Sequence, residues 1–241
     1  MSDQRWIVVP AAGFGERIGG VTPKQYLTLG EQSVLQVTLS QLLQVPDVEG
    51  IVVVLAADDS LWSSVPASAD PRIHTCIGGD TRADSVVAGL KYVSKKTPVD
   101  TWVFVHDAAR PLIHLSDVQR LSDAVYNSGA VGGILAARVQ DTLKQADEYY
   151  YIERSVSRES LWQAQTPQLF KVGALLDALQ SALSNNESDD TSITVTDEAS
   201  AMEYAGHEPL LVEALQPNFK ITRPVDLRIA TAILNDEVMM S

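Results

Sequence analysis

Five short apolar runs constrain this chain more than any other feature. They are Trp6-Ile7-Val8-Val9, Ile51–Leu55, Ile73–Ile77, Trp102–Val105 and Val131–Ala137. Each has the length of a strand, and none alternates apolar with polar as a half-solvated strand would. Between them lie segments of helical period. Ser33 can cap a helix whose Leu35, Leu39, Leu42 and Leu43 fall at i, i+4, i+7 and i+8. Further helices are expected over Thr81–Val93 and Ser116–Tyr126. Strands buried on both faces that alternate with amphipathic helices make βαβ units. The predicted fold is therefore α/β, a Rossmann-like, mostly parallel sheet with helices on both faces.

The regular alternation stops after Ala137. The stretch Asp141–Arg158 holds three consecutive tyrosines, scattered charges and a turn signal at Asp147-Glu148. It reads as a β-hairpin arm, Thr142–Ala146 pairing with Tyr149–Val156. A lone two-stranded hairpin is marginal in water, so it needs a surface to lie on, and a second copy of the chain is the economical choice. The expected organisation is an α/β core of residues 1–137 and 159–241, interrupted by a dimerisation arm at 138–158. Helices resume at Gly173–Leu183, a polar loop covers Asn185–Thr191, and Thr196-Asp197-Glu198 opens another helix with Thr196 as its cap. Pro224 sits in the first turn of the last helix.

Composition narrows the function classes. A chain of 241 residues, 45% hydrophobic and 20% charged, can build a core without metal or disulfide. No apolar run approaches ~18 residues, which argues against a membrane span. The first strand follows a lone Arg5 at once, with no small-residue cleavage site behind it, which argues against a signal peptide. The single cysteine, Cys76, cannot form an internal disulfide, which fits a reducing cytoplasm. The net charge of −13 repels nucleic acid but leaves room for a local basic pocket that binds a small phosphorylated ligand.

Three loops follow strands at positions where a parallel sheet binds ligands. Pro10-Ala11-Ala12-Gly13-Phe14-Gly15-Glu16-Arg17 leaves the first strand. Its small residues let backbone N–H groups approach a phosphate, though an ordinary tight turn would look the same. The dinucleotide fingerprint fails, because Ile18 stands where its third glycine belongs. The Walker loop fails too, because Val21-Thr22 follows Gly20. Arg17 and Lys24 supply cations after the loop. Gly78-Gly79-Asp80-Thr81-Arg82-Ala83-Asp84-Ser85 is the second loop. His106-Asp107-Ala108-Ala109-Arg110-Pro111 is the third, where Asp107 could hold a metal or a sugar hydroxyl, or simply pair with Arg110.

Taken together, these loops resemble the 2-C-methyl-D-erythritol 4-phosphate cytidylyltransferase family. The likeness is carried by Pro10–Arg17, Pro23-Lys24-Gln25-Tyr26, Gly79-Asp80-x-Arg82-x-Asp84-Ser85, His106–Pro111 and Asp141-Thr142. It continues through Leu161-Trp162-x-x-x-Thr166-Pro167-Gln168, Thr196-Asp197-Glu198-Ala199-Ser200 and Lys220-Ile221-Thr222-Arg223-Pro224, in register from about residue 6 to 235. The resemblance implies transfer of CMP from CTP to methylerythritol 4-phosphate with release of pyrophosphate, in non-mevalonate isoprenoid synthesis, with Mg2+ held mainly by the triphosphate and Asp107 nearby. It implies that Arg17 and Lys24 are catalytic, stabilising charge on the triphosphate. Pro10, Ala11, Ala12, Gly13, Gly15, Gly79, Asp80 and Ser85 would bind CTP. Asp107, Arg110, Thr142, Arg158, Thr166 and Lys220 would bind the alditol phosphate. The family's arm crosses a dimer interface, so Thr142 and Arg158 would serve the neighbour's site.

The chemistry suits these residues. A phosphomonoester has a second pKa of about 6 and is already a nucleophilic dianion at pH 7. No general base is needed, and no Ser-His-Asp or Cys-His set is evident. Competing readings are a ribitol 5-phosphate cytidylyltransferase, a nucleotide sensor without turnover and a dinucleotide-dependent oxidoreductase. His74, His114 and His207 read as surface or loop residues, His106 as a shaper of its strand end and Cys76 as core. Asp197 and Glu198 read as helix-start residues rather than metal ligands.

Overall fold

A computed structural model describes residues 4–13, 22–185 and 195–240. Its centre is a seven-stranded sheet built from β1 (Arg5–Pro10), β4 (Val48–Leu55), β5 (Ile73–Ile77), β6 (Trp102–Val105), β7 (Gly132–Arg138), β10 (Trp162–Lys171) and β11 (Leu210–Glu213). The strand order is β11-β7-β10-β6-β1-β4-β5. β4, β5 and β6 run parallel to β1 or to each other, and β7 runs parallel to β11. Only β10 runs the other way, antiparallel to both β6 and β7.

The sheet separates two cores, and alternate residues of one strand feed opposite ones. Ile7 and Val9 of β1 join Leu35, Leu39 and Leu42 of α1 (Val34–Leu42) and Val118, Leu121 and Val125 of α3 (Leu115–Ser128). Trp6 and Val8 face the other side. There they meet α2 (Arg82–Ser94), α4 (Val172–Asn185) and α5 (Glu198–Tyr204) through residues such as Leu90, Leu175 and Met202. Each fully buried leucine of this kind contributes about 1.5–3 kcal/mol relative to leaving it in water. α6 (Pro224–Met240) joins a smaller cluster with Leu29, Leu112 and Ile221. Leu29 ends β2 (Thr28–Leu29), which pairs with β3 (Gln32–Ser33).

Local chemistry explains the boundaries. Ser33 accepts from the Gln36 N–H and caps α1. Thr81 and Asp84 form a reciprocal capping box on α2. Gly129, at φ 68°, ends α3 in the left-handed conformation that glycine takes without steric cost. α5 is capped by Asp197 rather than Thr196, because Asp197 and Ser200 satisfy each other's backbone N–H.

Several further expectations are corrected. His74 is not a loop residue: it lies in β5, stacked on Trp6 at 5.4 Å and tilted against Tyr92 at 5.7 Å. Cys76 is only half-buried, because β5 is the edge strand. The hairpin is shorter than the pattern suggests, with β8 (Leu143–Ala146) pairing β9 (Ile152–Val156). Tyr149 to Tyr151 form its turn instead of a strand, and the Asp147 carboxylate accepts from the N–H groups of Tyr149 and Tyr151. Most of the polar loop expected at Asn185–Thr191 lies outside the described residues.

The direction of β10 places the arm. β7 runs parallel to β6, so Arg138, where β7 ends, lies at the same carboxyl edge as Val105, where β6 ends. The arm leaves the sheet from that edge and returns into Trp162, which pairs with Arg138. Residues 165–167 of β10 leave the ladder before it resumes at Gln168.

Candidate active site

At the carboxyl edge, one cleft is lined by Pro10, Ala11, Ala12 and Gly13 after β1, and by Gly79, Asp80, Thr81, Arg82 and Ser85 at the start of α2. Asp107, Ala108 and Ala109 after β6 complete it, together with Lys24, Gln25 and Lys220. The three strand-end loops singled out in the sequence therefore converge. Close approach requires glycine at Gly78, where a Cβ would stand 2.6 Å from Ser85 Oγ and 2.8 Å from Ala12 Cβ. Lys24 is carried on a single helical turn (Lys24–Tyr26). Gln25 Nε2 donates to the Ala11 carbonyl at 2.7 Å and fastens that turn to the first loop. Tyr26 Oη donates to Asp59 at 2.6 Å on its other side.

Asp107 is the electrostatic centre, 6% exposed. Arg82 Nε reaches its Oδ1 at 2.9 Å, Lys220 Nζ reaches Oδ2 at 2.8 Å and Arg110 Nε stands 3.6 Å from Oδ2. Burial alone would raise its pKa. Attraction to Arg82, Lys220 and Arg110 outweighs burial and holds the carboxyl well below the usual range. Arg82 is held from behind by Glu198, whose two oxygens take Nη1 at 2.7 Å and Nη2 at 3.1 Å. Glu198 is wholly buried. Burial pushes its carboxyl up, against the pull of Arg82.

Beneath the floor a second chain of hydrogen bonds has a fixed polarity. The Asp107 N–H donates to Thr166 Oγ1 at 3.0 Å, and Thr166 Oγ1 lies 3.1 Å from His106 Nδ1. His106 Nε2 lies 3.0 Å from the Arg110 carbonyl, which can only accept. The imidazole proton therefore sits on Nε2, and the Thr166 hydroxyl donates to the bare Nδ1. Burial pushes the His106 pKa down to about 4, so the ring is neutral near pH 7 and its proton is committed. Asn218 Nδ2 donates to the Thr166 carbonyl and the Asn218 carbonyl accepts from Arg110 Nη1, both at 2.7 Å.

Of the site residues expected from sequence, Pro10, Ala11, Ala12, Gly13, Lys24, Gly79, Asp80, Ser85, Asp107 and Lys220 line one cleft. Thr166 and Arg110 support it from below. Thr142 and Arg158 lie on the exposed arm and do not line it. Gly15 and Arg17 lie outside the described residues. Arg82, Glu198, Gln25 and Asn218 received no role from the sequence. Arg82, Gln25 and Glu198 stood in motifs that carry the resemblance, whereas Asn218 carried no signal there.

Comparison with known proteins agrees with this geometry. A family model described as 2-C-methyl-D-erythritol 4-phosphate cytidylyltransferase matches residues 6–236. The enzyme of that name from Ectopseudomonas mendocina is 46% identical over 228 residues, 94% of each chain. Its counterpart from Tolumonas auensis is 47% identical over 230 residues, 95% of this chain and 96% of its own. A crystal structure of 4-diphosphocytidyl-2C-methyl-D-erythritol synthase superposes with a TM-score of 0.81 at 35% identity, covering 96% of this chain and 98% of the other. The Francisella tularensis cytidylyltransferase superposes at 0.80 and 35% identity, covering 95% and 99%. A match that spans nearly the whole chain in sequence and in fold shows that this chain belongs to the 2-C-methyl-D-erythritol 4-phosphate cytidylyltransferase family, the nucleotidyltransferases that join CMP from CTP to methylerythritol phosphate.

Proposed function

We propose that the carboxyl-edge cleft is the site of this transfer, with CTP against the two glycine loops and the alditol phosphate towards Asp107 and Lys220. The observation that carries this reading is that both glycine loops, Lys24, Asp107 and Lys220 line one cleft. A phosphomonoester oxygen of the alditol forms a bond to the α-phosphorus of CTP. The bond from that phosphorus to the bridging oxygen breaks, and pyrophosphate leaves with the electron pair. The nucleophile is already ionised near pH 7, so no side chain has to take a proton. The neutral, fully bonded His106 fits that requirement. Lys24 and Arg17 stabilise the charge that develops on the triphosphate.

The donor set suits Mg2+ carried by the substrate. Among the described residues the cleft carboxylates are Asp80 and Asp107, and both oxygens of Asp107 already face cations. No cluster of three metal-ligating side chains lies among the described residues. Mg2+ keeps several waters and takes its charge partners mainly from phosphates, so the triphosphate would hold it, with Asp107 nearby. Bound there, it would neutralise part of the triphosphate charge.

The assembly we propose is a homodimer in which each arm serves the neighbour's cleft with Thr142 and Arg158. Support comes from the arm's exit at the cleft edge and from the exposure of Tyr149, Tyr150, Tyr151 and Ile152, at 72%, 91%, 73% and 65%. The reading places the enzyme in the cytoplasm, in keeping with the single Cys76. No helix among the described residues is long and apolar enough to cross a membrane.

The test is pyrophosphate release with Mg2+ and each of CTP, ATP, GTP and UTP, offered with methylerythritol 4-phosphate or ribitol 5-phosphate. Release only with CTP and methylerythritol phosphate supports the reading. Lys24→Ala should lower kcat on the order of 10²–10³-fold while leaving the melting curve in place. Co-expressing Lys24→Ala and Arg158→Ala chains tests the shared site. If arms are exchanged, half the dimers are mixed and hold one intact site each, so about a quarter of wild-type activity returns. No recovery would place each arm on its own cleft.

A further inference from the structure

The Asp107–Arg82–Glu198 chain has a division of labour that the reaction does not itself require. An arginine fork can grip both oxygens of one carboxylate. Arg82 stands beside Asp107 but does not grip it that way. Its Nη1 and Nη2 both go to Glu198, and only Nε reaches Asp107, at Oδ1. Asp107 Oδ2 is thereby left to Lys220 at 2.8 Å and to Arg110. Glu198 is 1% exposed and cannot drift from this task. Gln168 of β10 pins the start of α5 by donating to Asp197 at 2.9 Å and accepting from the Ala199 N–H at 2.8 Å.

We propose that Glu198 is a positioning residue: it occupies the fork of Arg82 so that Asp107 keeps one oxygen for Lys220, which holds Lys220 Nζ in place for the alditol phosphate. Without the Glu198 charge, Arg82 turns and takes both oxygens of Asp107, and Lys220 loses its anchor. The inference rests on the reading that Asp107 and Lys220 face the alditol phosphate.

The experiment is steady-state kinetics on the full-length enzyme with each substrate varied in turn, for Glu198→Gln, Arg82→Lys, the double variant and Asp107→Asn. Lysine has no fork, so Arg82→Lys breaks the same device from its other side, at a side chain that is 30% exposed and keeps its charge. If Glu198→Gln does not fold, Arg82→Lys carries the test alone. A displacement of about 1 Å at a site can cost on the order of 10²-fold. Each single variant should therefore lower kcat/KM for methylerythritol 4-phosphate by about tenfold to a hundredfold while KM for CTP moves less than about threefold. The double variant should lose no more than the worse single, because both remove one device. Equal losses for both substrates, or losses that multiply in the double, would mean a general structural role and overturn the inference. Full activity in folded Glu198→Gln beside a damaged Asp107→Asn would sink the positioning role and leave the site standing. An unaffected Asp107→Asn would sink the reading of the site itself.

Discussion

The cleft floor and the arm are built from the same kinds of polar side chain and live in opposite dielectric worlds. In the floor, Asp107 and Glu198 are buried and share Arg82. In the arm, Lys144 donates to Ser155 at 2.6 Å, Gln145 to Glu153 at 2.9 Å and Arg154 to Gln145 at 2.9 Å, all exposed. Water replaces any lost partner in the arm and is far less available in the floor. Exposed pairs are worth about 0–1 kcal/mol, whereas removing one side of a buried pair costs about 3–5 kcal/mol. The side chains are of the same kinds, and the consequences of losing one differ several-fold.

Substitutions can break or sharpen this contrast, beginning with the largest effect. Asp107→Ala leaves Arg82, Lys220 and Arg110 without their shared anion. It should cost about 3–4 kcal/mol in denaturant unfolding, towards the low end for a buried pair because Arg82 and Lys220 keep 30% and 32% of their side chains in water. A loss no larger than that of an arm substitution would erase the distinction between the two regions.

His106 gives the next effect, through pH. Its pKa is about 4 when folded and about 6.5 when unfolded. Between those values the unfolded chain binds a proton that the folded chain does not, so stability is full above about pH 6.5 and falls as pH drops towards 4. The loss should total about 3 kcal/mol, at up to about 1.4 kcal/mol per pH unit. Glu198, raised by burial, contributes with the opposite sign just above the carboxylate range. The difference between wild type and His106→Gln isolates the imidazole, and parallel stability profiles for the two proteins would contradict its role.

Thr166→Val removes the hydroxyl between the Asp107 N–H and His106 Nδ1, stranding two buried groups. It should cost about 2 kcal/mol, and Thr166→Ser should restore most of it. In the arm, Arg154→Ala should change stability by less than about 0.5 kcal/mol. A larger loss, read by thermal melting, would mean that the arm's exposed pairs are coupled.

The same contrast decides what the sequence made legible. The strands around Ile7, Val53 and Phe104 were readable because both sheet faces demand apolar side chains without interruption. β10 was not, because Trp162–Gln168 mixes glutamines, a threonine and a proline and shows no period. Its polar half serves as a bracket: Thr166 holds the cleft floor from below and Gln168 holds the start of α5. Asp107 and Lys24 were visible through their loops. Glu198 was hidden in plain view, because an acid in a first helical turn ordinarily only complements the helix dipole. Its real partner, Arg82, lies 116 residues away, and only folding joins them. The neutral state of His106 was equally unreadable, since it follows from burial, which only folding brings about.

In mechanical language, β10 is a rod clamped at both ends. β7 holds it from Trp162 to Ala164, where the arm joins, and the sheet grips it again from Gln168 to Lys171. The slack lies at residues 165–167, where the ladder lets go, and Thr166 sits in that gap against the cleft floor. The arm root and the cleft floor are thus neighbours along one strand, separated only by the short step from Ala164 to Thr166.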